Sequence, residues 1–256
     1  MKSFYITDPG YVRDHNEDSV TIVKNASNEY LAIVADGMGG HRAGEIASSM
    51  VITHLGKRFS DMSSIGSKLD AVNWLNDNIS EVNRNILEYG ANNPGSKGLG
   101  TTVVLAIITK EFLIFGNIGD SSGFVLKGNH LHRVTKPHTL VELLVSAGDL
   151  TEEEALSHPK KNVLMKALGS TEKAELDIFD VDMGSEAILL SSDGLTTMLT
   201  NEQIERVLLD EELSIEDKVI KLVKKSNMRG GADNISIAYL VREEGDYHDN
   251  EGSENK

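Results

Sequence analysis

The sequence predicts an α+β fold in which antiparallel sheets lie inside a layered sandwich. Two short apolar runs, Leu31–Ala35 and Ala187–Leu190, lead into the dipeptides Asp36-Gly37 and Asp193-Gly194, as buried strands that end in turns would. Between residues 101 and 134, successive strand-like runs are joined by short connections, which favour antiparallel pairing. Helical patterns come in pairs and do not alternate with single strands, which disfavours a parallel sheet.

The N-terminal elements are two predicted strands followed by two predicted helices. The strands cover Ser19–Val23 and Tyr30–Ala35, where β-branched and aliphatic residues predominate. Residues 46–59 and 72–89 then place apolar side chains three and four positions apart, which is typical of one buried helix face. We expect both helices to face the core.

The rest of the chain forms blocks of strands and helices. A hairpin turn is predicted at Lys127–His130. A helical excursion over residues 136–170 has a break at Gly148 and a capping-box pattern at Thr151–Glu154. The predicted strands of this half cover residues 101–109, 112–118, 123–127, 131–134, 186–191 and 234–241, and the predicted helices cover 140–146, 200–209 and 214–225.

Composition excludes several functional classes. The 256 residues include no cysteine, which excludes disulfides, zinc-thiolate sites and thiol nucleophiles. A formal net charge of −15 argues against binding of nucleic acid or of an anionic membrane surface, because both are polyanions. No apolar run has signal-peptide or membrane-spanning length, so we expect a cytoplasmic protein without membrane insertion. We also expect one domain over residues 1–241 and a disordered acidic tail over 242–256.

Five acidic residues lie next to strand-like runs, where they could supply oxygen ligands. They are Glu17, Asp36, Asp120, Asp193 and Asp233. Clusters of oxygen ligands alone are what hard divalent cations prefer. Each Asp-Gly pair by itself is a common turn dipeptide, so the hypothesis depends on the whole set. A calcium-binding module fits less well, because the sequence has no Asp-x-Asp-x-Asp-Gly loop.

Six motifs of the chain contain these residues in a fixed order. They are Arg13-x-x-Asn16-Glu17-Asp18, Asp36-Gly37-Met38-Gly39-Gly40 with Gly44-Glu45-x-Ala47-Ser48, Gly98-x-Gly100-Thr101-Thr102, Gly119-Asp120-Ser121, Ser192-Asp193-Gly194-Leu195-Thr196 and Asp233-Asn234-Ile235. The set resembles the PPM family, the metal-dependent serine/threonine protein phosphatases of type 2C, and its bacterial branch in particular. The resemblance implies a four-layer α-β-β-α sandwich, with two central antiparallel sheets flanked by helix pairs, and hydrolysis of phosphoserine and phosphothreonine in proteins.

The resemblance also implies a centre of two Mn²⁺ or Mg²⁺ ions at one end of the sandwich. Asp36 would bridge both ions, and the backbone carbonyl of Gly37 would bind one of them. Asp193 and Asp233 would hold the other. Two such ions can acidify a shared water and clamp phosphoryl oxygens, so no covalent intermediate is needed.

Three further residues receive roles from the resemblance. Glu17 would act near the ions, largely through water. Asp120 would help to hold a third, weaker metal that is associated with the bacterial branch. Arg13 would bind the phosphate, since a planar guanidinium pairs with two phosphate oxygens at once. His41 could donate a proton, although an exposed loop imidazole is the favoured interpretation. Met38 stands where some relatives carry a histidine proposed as general acid.

Two departures from the family pattern leave an alternative open. Ser122 stands where the family usually has arginine, and Pro137 where it usually has aspartate. We expect these changes to alter the packing of a mobile flap over about residues 138–162 and to leave the metal ligands intact. The family habit also suggests a cognate serine/threonine kinase as partner. The alternative function is a catalytically weakened homologue that binds phosphoproteins as a regulator.

Overall fold

A computed structural model describes residues 1–39, 43–96 and 98–243 of the chain. The prediction for His41 lies outside the described residues, as does that for the acidic tail from residue 244 onward. The strands are β1 Lys2–Asp8, β2 Asp18–Lys24, β3 Tyr30–Met38, β4 Gly100–Thr101, β5 Val103–Ile108, β6 Leu113–Ile118, β7 Ser122–Lys127, β8 His130–Arg133, β9 Asp177–Val181, β10 Ala187–Ser191 and β11 Ile235–Val241. The helices are α1 Ala43–Ser60, α2 Lys68–Asn92, α3 Leu140–Ala147, α4 Glu152–Ser157, α5 Asp193–Thr196, α6 Asn201–Leu208 and α7 Ile215–Met228, with a 3₁₀ turn at Pro94–Ser96.

The strands form two antiparallel sheets, as the short connections predict. Sheet I has the order β1-β11-β10-β7-β8, and sheet II has the order β2-β3-β5-β6-β9, with β4 paired to β3. The predicted hairpin joins β7 to β8 through Gly128 and Asn129, whose φ angles of 58° and 63° suit the tight turns that follow strand twist.

Three apolar clusters separate four layers, which confirms the predicted α-β-β-α sandwich. One cluster packs α1 and α2 on sheet II and includes Leu31, Val51 and Phe59. A second fills the space between the sheets, and a third packs sheet I on α6 and α7. The strands β3, β5 and β6 are buried on both faces, which explains why the sequence shows them as unbroken apolar runs.

Helix ends follow the local signals of the sequence. Gly148 ends α3 with a left-handed φ of 80°, and Thr151 and Glu154 form the predicted capping box at the start of α4. Ser67 and Asp70 form another capping box before α2.

The sequence analysis does not place the strands β1 and β9. In β1, which lies at an edge of sheet I, exposed and half-buried residues alternate, so its apolar content is low. In β9, Asp177 and Asp180 interrupt the apolar residues, and the strand is defined by its pairing with β6. Both are edge strands, where pairing and not burial on two faces decides the structure.

Candidate metal centre

All seven residues predicted for the site line one cavity of about 290 Å³. The cavity is lined by Arg13, Glu17, Asp36, Gly37, Met38, Gly39, Thr102, Asp120, Asn162, Leu164, Asp193, Asp233 and Asn234. It lies where the ends of both sheets meet. Asp36 is near the end of β3 in sheet II, and Asp193 comes two residues after the end of β10 in sheet I.

The backbone around Asp36 is fixed by a pair of threonines. The Asp36 amide donates to Thr102 Oγ1 at 3.0 Å, and the Asp36 carbonyl accepts from the Thr102 amide at 2.8 Å and from Thr101 Oγ1 at 2.9 Å. The Thr102 hydroxyl also lies 2.8 Å from the Ser121 hydroxyl, next to Asp120. Asp36 and the loop of Asp120 are therefore held to one hydrogen-bonded scaffold.

Gly37 allows the chain to pass close to the start of α1. A Cβ atom at Gly37 would lie 2.2 Å from the Gly44 carbonyl oxygen and 2.5 Å from the Glu17 carbonyl oxygen, so no larger residue fits without a backbone shift. A Cβ at Gly44 would in turn lie 2.8 Å from the carboxyl carbon of Glu17. The Ser48 hydroxyl donates to the Glu17 carbonyl at 2.6 Å. These close approaches place Glu17 beside Asp36 and Gly37.

Asn234 ties the other half of the site together. Its side-chain amide donates to the carbonyls of Pro9 and His15 at 2.9 and 3.0 Å, and its Oδ1 accepts from the Glu17 amide at 2.9 Å. A Cβ at Gly194 would lie 2.0 Å from the Asn234 carbonyl oxygen. The loop before β11 therefore packs directly against both the β1–β2 loop and the Asp193 turn.

Arg13 forms the one ion pair observed on the described cavity lining. Its Nη2 donates to Asp233 Oδ2 at 2.6 Å, and about half of its side chain is exposed. This bond raises the pKa of Arg13 above its ordinary value, with the charges of Asp233, Asp36 and Asp193 adding to the effect. The guanidinium is thus fixed at the mouth of the cavity with its charge retained.

Burial and mutual repulsion make the cavity carboxylates hard to ionise. Burial is the main cause that raises the pKa of Asp36 well above its usual range, and the charges of Asp18 and Asp193 add to it. Burial also raises the pKa of Asp193 to about 7, with repulsion from Asp120 and Asp233. The pKa values of Glu17 and Asp120 are raised by burial as well. A cation in the cavity would remove this repulsion.

Asp18 is a buried carboxylate to which the sequence analysis gives no role. It lies opposite Asp36 in the β2–β3 pairing, and neither of its oxygens has a hydrogen-bond partner of normal geometry among the described residues. Burial raises its pKa to about 6, although the nearby hydroxyls of Ser192 and Ser236 oppose the rise. The sequence does contain a signal for this placement. Asp18, Val20 and Ile22 alternate along β2 and so share one face of the strand, and Val20 and Ile22 pack between the sheets.

The donor chemistry of the cavity fits a hard divalent cation. Every candidate ligand is an oxygen, and Asp193 Oδ1 is buried without a hydrogen-bond partner among the described residues. Within residues 1–39, 43–96 and 98–243, no three His, Asp or Glu side chains lie close enough together to hold a metal ion as they are placed.

Ser122, which stands where the family usually has arginine, contacts an arginine on the neighbouring strand. Arg133 of β8 donates from Nη2 to Ser122 Oγ at 2.7 Å, and its charge counters the rise in the pKa of Asp120. His138 accepts from the Gly119 amide at 3.1 Å through Nδ1, and its Nε2 lies 3.0 Å from Asp177 Oδ2. The Asp120 loop is therefore braced from two sides.

Comparison with known proteins identifies relatives across nearly the whole chain. The sequence profile of the protein phosphatase 2C family matches residues 11–228. The serine/threonine phosphatase stp of Listeria welshimeri is 38% identical over 243 residues, which cover 94% of this chain and 96% of that protein. The protein phosphatase PhpP of Streptococcus pneumoniae is 37% identical over 252 residues, covering 96% and 99%.

A solved structure shows the same architecture. The serine/threonine phosphatase of Streptococcus agalactiae superimposes with a TM-score of 0.89 at 37% identity, covering 94% of this chain and 99% of that one. Proteins of this family depend on Mn²⁺ or Mg²⁺, and a serine/threonine phosphatase acts on phosphorylated proteins. The chain belongs to the protein phosphatase 2C family and is a protein serine/threonine phosphatase of the bacterial PPM type.

Proposed function

We propose that this phosphatase hydrolyses its phosphoproteins at a two-cation centre held by Asp36, the carbonyl of Gly37, Asp193 and Asp233. The observation that carries the proposal is the convergence of these groups on one cavity, where Asp193 Oδ1 is buried without a hydrogen-bond partner among the described residues. When bound, Mn²⁺ or Mg²⁺ supplies positive charge that acidifies water and offsets the charge of phosphoryl oxygens. The backbone of β3 keeps Asp36 in place, because the threonine pair fixes both its amide and its carbonyl.

Arg13 orients the phosphate in this proposal. Its guanidinium lies at the cavity mouth and contacts Asp233 through Nη2 at 2.6 Å. The remaining donors of the planar group can pair with two oxygens of a phosphate ester. Asp233 thereby has two functions, since it holds Arg13 by one oxygen and faces the cavity as a cation ligand.

Glu17 and Asp120 extend the centre. Glu17 acts near the cations through water, because its carboxyl group is partly buried beside Gly44. Asp120 holds a third, weaker cation together with Asp193, and Arg133 and His138 tune its charge from the opposite side. A flap over about residues 138–162 modulates access, since Asn162 at its end lines the cavity.

The cellular setting follows from the same activity. We propose that the enzyme acts in the cytoplasm and reverses the work of a cognate serine/threonine kinase. No helix in the described parts of the chain is long and apolar enough to cross a membrane. The alternative of a weakened phosphoprotein-binding homologue receives no support, because every predicted ligand lines the cavity.

The test measures phosphate release from a phosphothreonine peptide and from p-nitrophenyl phosphate, with Mn²⁺ and with a chelator. The Asp193→Asn variant keeps the shape of the side chain and removes the ligand charge. Asp182→Asn is the matched control, because Asp182 is exposed and pairs with Lys127 at 2.5 Å. We expect turnover to need Mn²⁺, to be lost in Asp193→Asn and to persist in Asp182→Asn; equal turnover in both variants would contradict the proposed centre.

A second arm addresses Arg13. Arg13→Ala should raise KM for both substrates by about tenfold or more with a smaller effect on kcat, because it removes phosphate binding. Arg13→Lys should recover only part of the loss, since an ammonium group cannot make the two parallel bonds. An unchanged KM in Arg13→Ala would refute the role.

A further inference from the structure

Two large apolar side chains are exposed beside the candidate site. Tyr11 is 73% exposed and Val12 is 66% exposed, and both directly precede Arg13, which lines the cavity. Val163 and Met165, which are 42% and 51% exposed, flank the lining residue Leu164 in the same way, whereas Leu69 of α2 is far along the chain from every lining residue. Isolated apolar residues on a surface are ordinary, but two consecutive exposed apolar residues next to a lining residue of the cavity suit a contact surface.

The loop that carries the pair is held in place by its backbone. The amides of Tyr11 and Val12 both donate to the Gly231 carbonyl, at 2.8 and 3.2 Å. Gly10 has a φ of 77°, and a Cβ there would lie 2.3 Å from the Asp233 carbonyl oxygen. The exposure of Tyr11 and Val12 is therefore a consequence of how the β1–β2 loop packs on the Asp233 loop.

Nearby side chains brace the same arrangement. Asp8 Oδ1 accepts from the Gly10 amide at 2.9 Å and from the side-chain amide of Asn227 at 3.0 Å. A Cβ at Gly231 would lie 2.6 Å from Asn227 Oδ1 and 2.8 Å from the Tyr11 amide. These contacts fix the backbone of the loop that carries the pair.

We propose that Tyr11 and Val12 form an apolar contact surface for the substrate polypeptide, next to its phosphorylated residue. The inference rests on the proposed function, since it takes Arg13 as the phosphate-binding group. An extended peptide advances about 3.3–3.6 Å per residue, so residues one or two positions from the phosphorylated side chain reach the rim of the cavity. The two side chains carry no charge, so the contact that they offer favours an apolar neighbour.

The experiment pairs changes in the enzyme with changes in the substrate. One phosphothreonine peptide has serine at the two positions on each side of the phosphothreonine. Its variants carry leucine at one of these four positions. The enzymes are the wild-type protein, the double variant Tyr11→Ser/Val12→Ser, and Leu69→Ser as a matched control on α2, where Leu69 is 67% exposed. Thermal melting of each protein verifies that it folds.

We expect the wild-type enzyme to prefer leucine at one or more of the four positions by about fivefold in kcat/KM. The double variant should lose this preference, and Leu69→Ser should keep it. A wild-type enzyme without any leucine preference, or a preference that persists in the double variant, would overturn the inference. Failure of the proposed function would look different, because no peptide would then be hydrolysed in a Mn²⁺-dependent way.

A second copy of the chain is the other possible occupant of the surface. Sedimentation of the wild-type and double-variant proteins at assay concentration distinguishes the two occupants. If the wild-type protein self-associates and the double variant does not, while the peptide preference is the same in both, the surface is a self-association site and the inference fails. An unchanged mass together with a lost preference supports it.

Discussion

The carboxylates of this protein fall into two groups, those of the cavity and those at helix starts, and the pKa values of the two groups are shifted in opposite directions. In the cavity, burial raises the pKa of Asp193 to about 7 and that of Asp36 well above its usual range. On the outer surface, hydrogen bonds from Ser67 lower the pKa of Asp70, and hydrogen bonds from Thr151 lower that of Glu154. The first group opposes the metal-free fold, whereas the second supports the start of a helix.

The difference shows that local partners and not residue type decide what an acidic side chain contributes. A capping carboxylate is hydrated and accepts hydrogen bonds close along the chain, so ionisation is easy. A cavity carboxylate is surrounded by others from distant segments, so ionisation needs a cation. Binding of a divalent cation would therefore relieve the repulsion among the cavity carboxylates and stabilise the fold.

The strongest test of this contrast removes one cavity charge. Asp36→Asn should lower Mn²⁺-dependent turnover by about a thousandfold, since it removes the proposed bridging ligand. The same change should raise the free energy of unfolding of the metal-free protein by about 1 kcal/mol, because it relieves repulsion. Urea denaturation with and without Mn²⁺ measures the second effect.

The matched surface variant for Asp36→Asn is Asp210→Asn, since Asp210 pairs with Lys221 at 2.9 Å on the exterior. It should retain turnover and gain no stability. If Asp36→Asn destabilised the metal-free protein as much as a core substitution does, the cavity would not be electrostatically strained and the contrast would be wrong.

The second test concerns the backbone that brings the cavity charges together. Gly37→Ala should destabilise the protein by about 2–4 kcal/mol, because the new methyl group would lie 2.2 Å from a carbonyl oxygen. Gly95→Ala is the control, since a Cβ at Gly95 has no neighbour within 4 Å among the described residues. Chemical denaturation of both variants gives the comparison, and similar stability in the two would show that the close approach at Gly37 is unimportant.

The third test uses pH to separate the two groups. A carboxylate whose pKa is raised on folding contributes stability at low pH that is lost as pH rises through its folded pKa. We therefore expect the metal-free protein to lose about 3–4 kcal/mol of unfolding free energy between pH 5 and pH 7.5, because the pKa of Asp18 is raised to about 6 and that of Asp193 to about 7. Surface carboxylates with lowered pKa act oppositely and lose their contribution only below about pH 4.

Denaturation across this pH range has an internal control. Asp193→Asn should make the fall with pH shallower, and saturating Mn²⁺ should reverse its sign, since cations bind the ionised form. Histidines affect both proteins alike, so the difference between them isolates Asp193. A slope that is identical in the variant would remove the cavity from the explanation.

The smallest expected effect is at a surface cap. Ser67→Ala should cost about 1 kcal/mol of stability, because the Ser67 hydroxyl caps the first turn of α2. Ser146→Ala, at an exposed position within α3, should change stability by less than about 0.5 kcal/mol. Thermal denaturation measures both, and turnover should be unaffected in Ser67→Ala, since Ser67 lies outside the cavity lining. An equal response of the two would mean that the cap contributes nothing specific.

Much of the fold was predictable because the core strands are apolar without interruption. The runs ending at Asp36 and near Asp193 indicated buried strands, and periodic apolar residues indicated α1 and α2. The edge strands β1 and β9 were missed, because an edge strand is defined by its hydrogen-bonded neighbour more than by its own composition.

In the candidate site, too, residues in local motifs were predictable, whereas residues whose role depends on a neighbouring strand were not. The motifs named all seven predicted residues, and each lines the cavity. Asp18 received no role, because its importance comes from lying opposite Asp36 across two strands. The partnership of Arg133 with Ser122 was equally invisible, since it depends on how β7 pairs with β8.

The sequence by itself determined the α+β class with antiparallel sheets through its apolar periodicity, and it determined the family and the oxygen-only character of the site through its motifs, because both are local properties of the chain. The four layers followed from the family resemblance. Only the tertiary structure decided which carboxylates share one cavity, that Asp233 holds Arg13, and that Tyr11 and Val12 face solvent beside it. Burial, repulsion and hydrogen bonding between segments distant along the chain depend on distances in space, which spacing in the sequence does not fix.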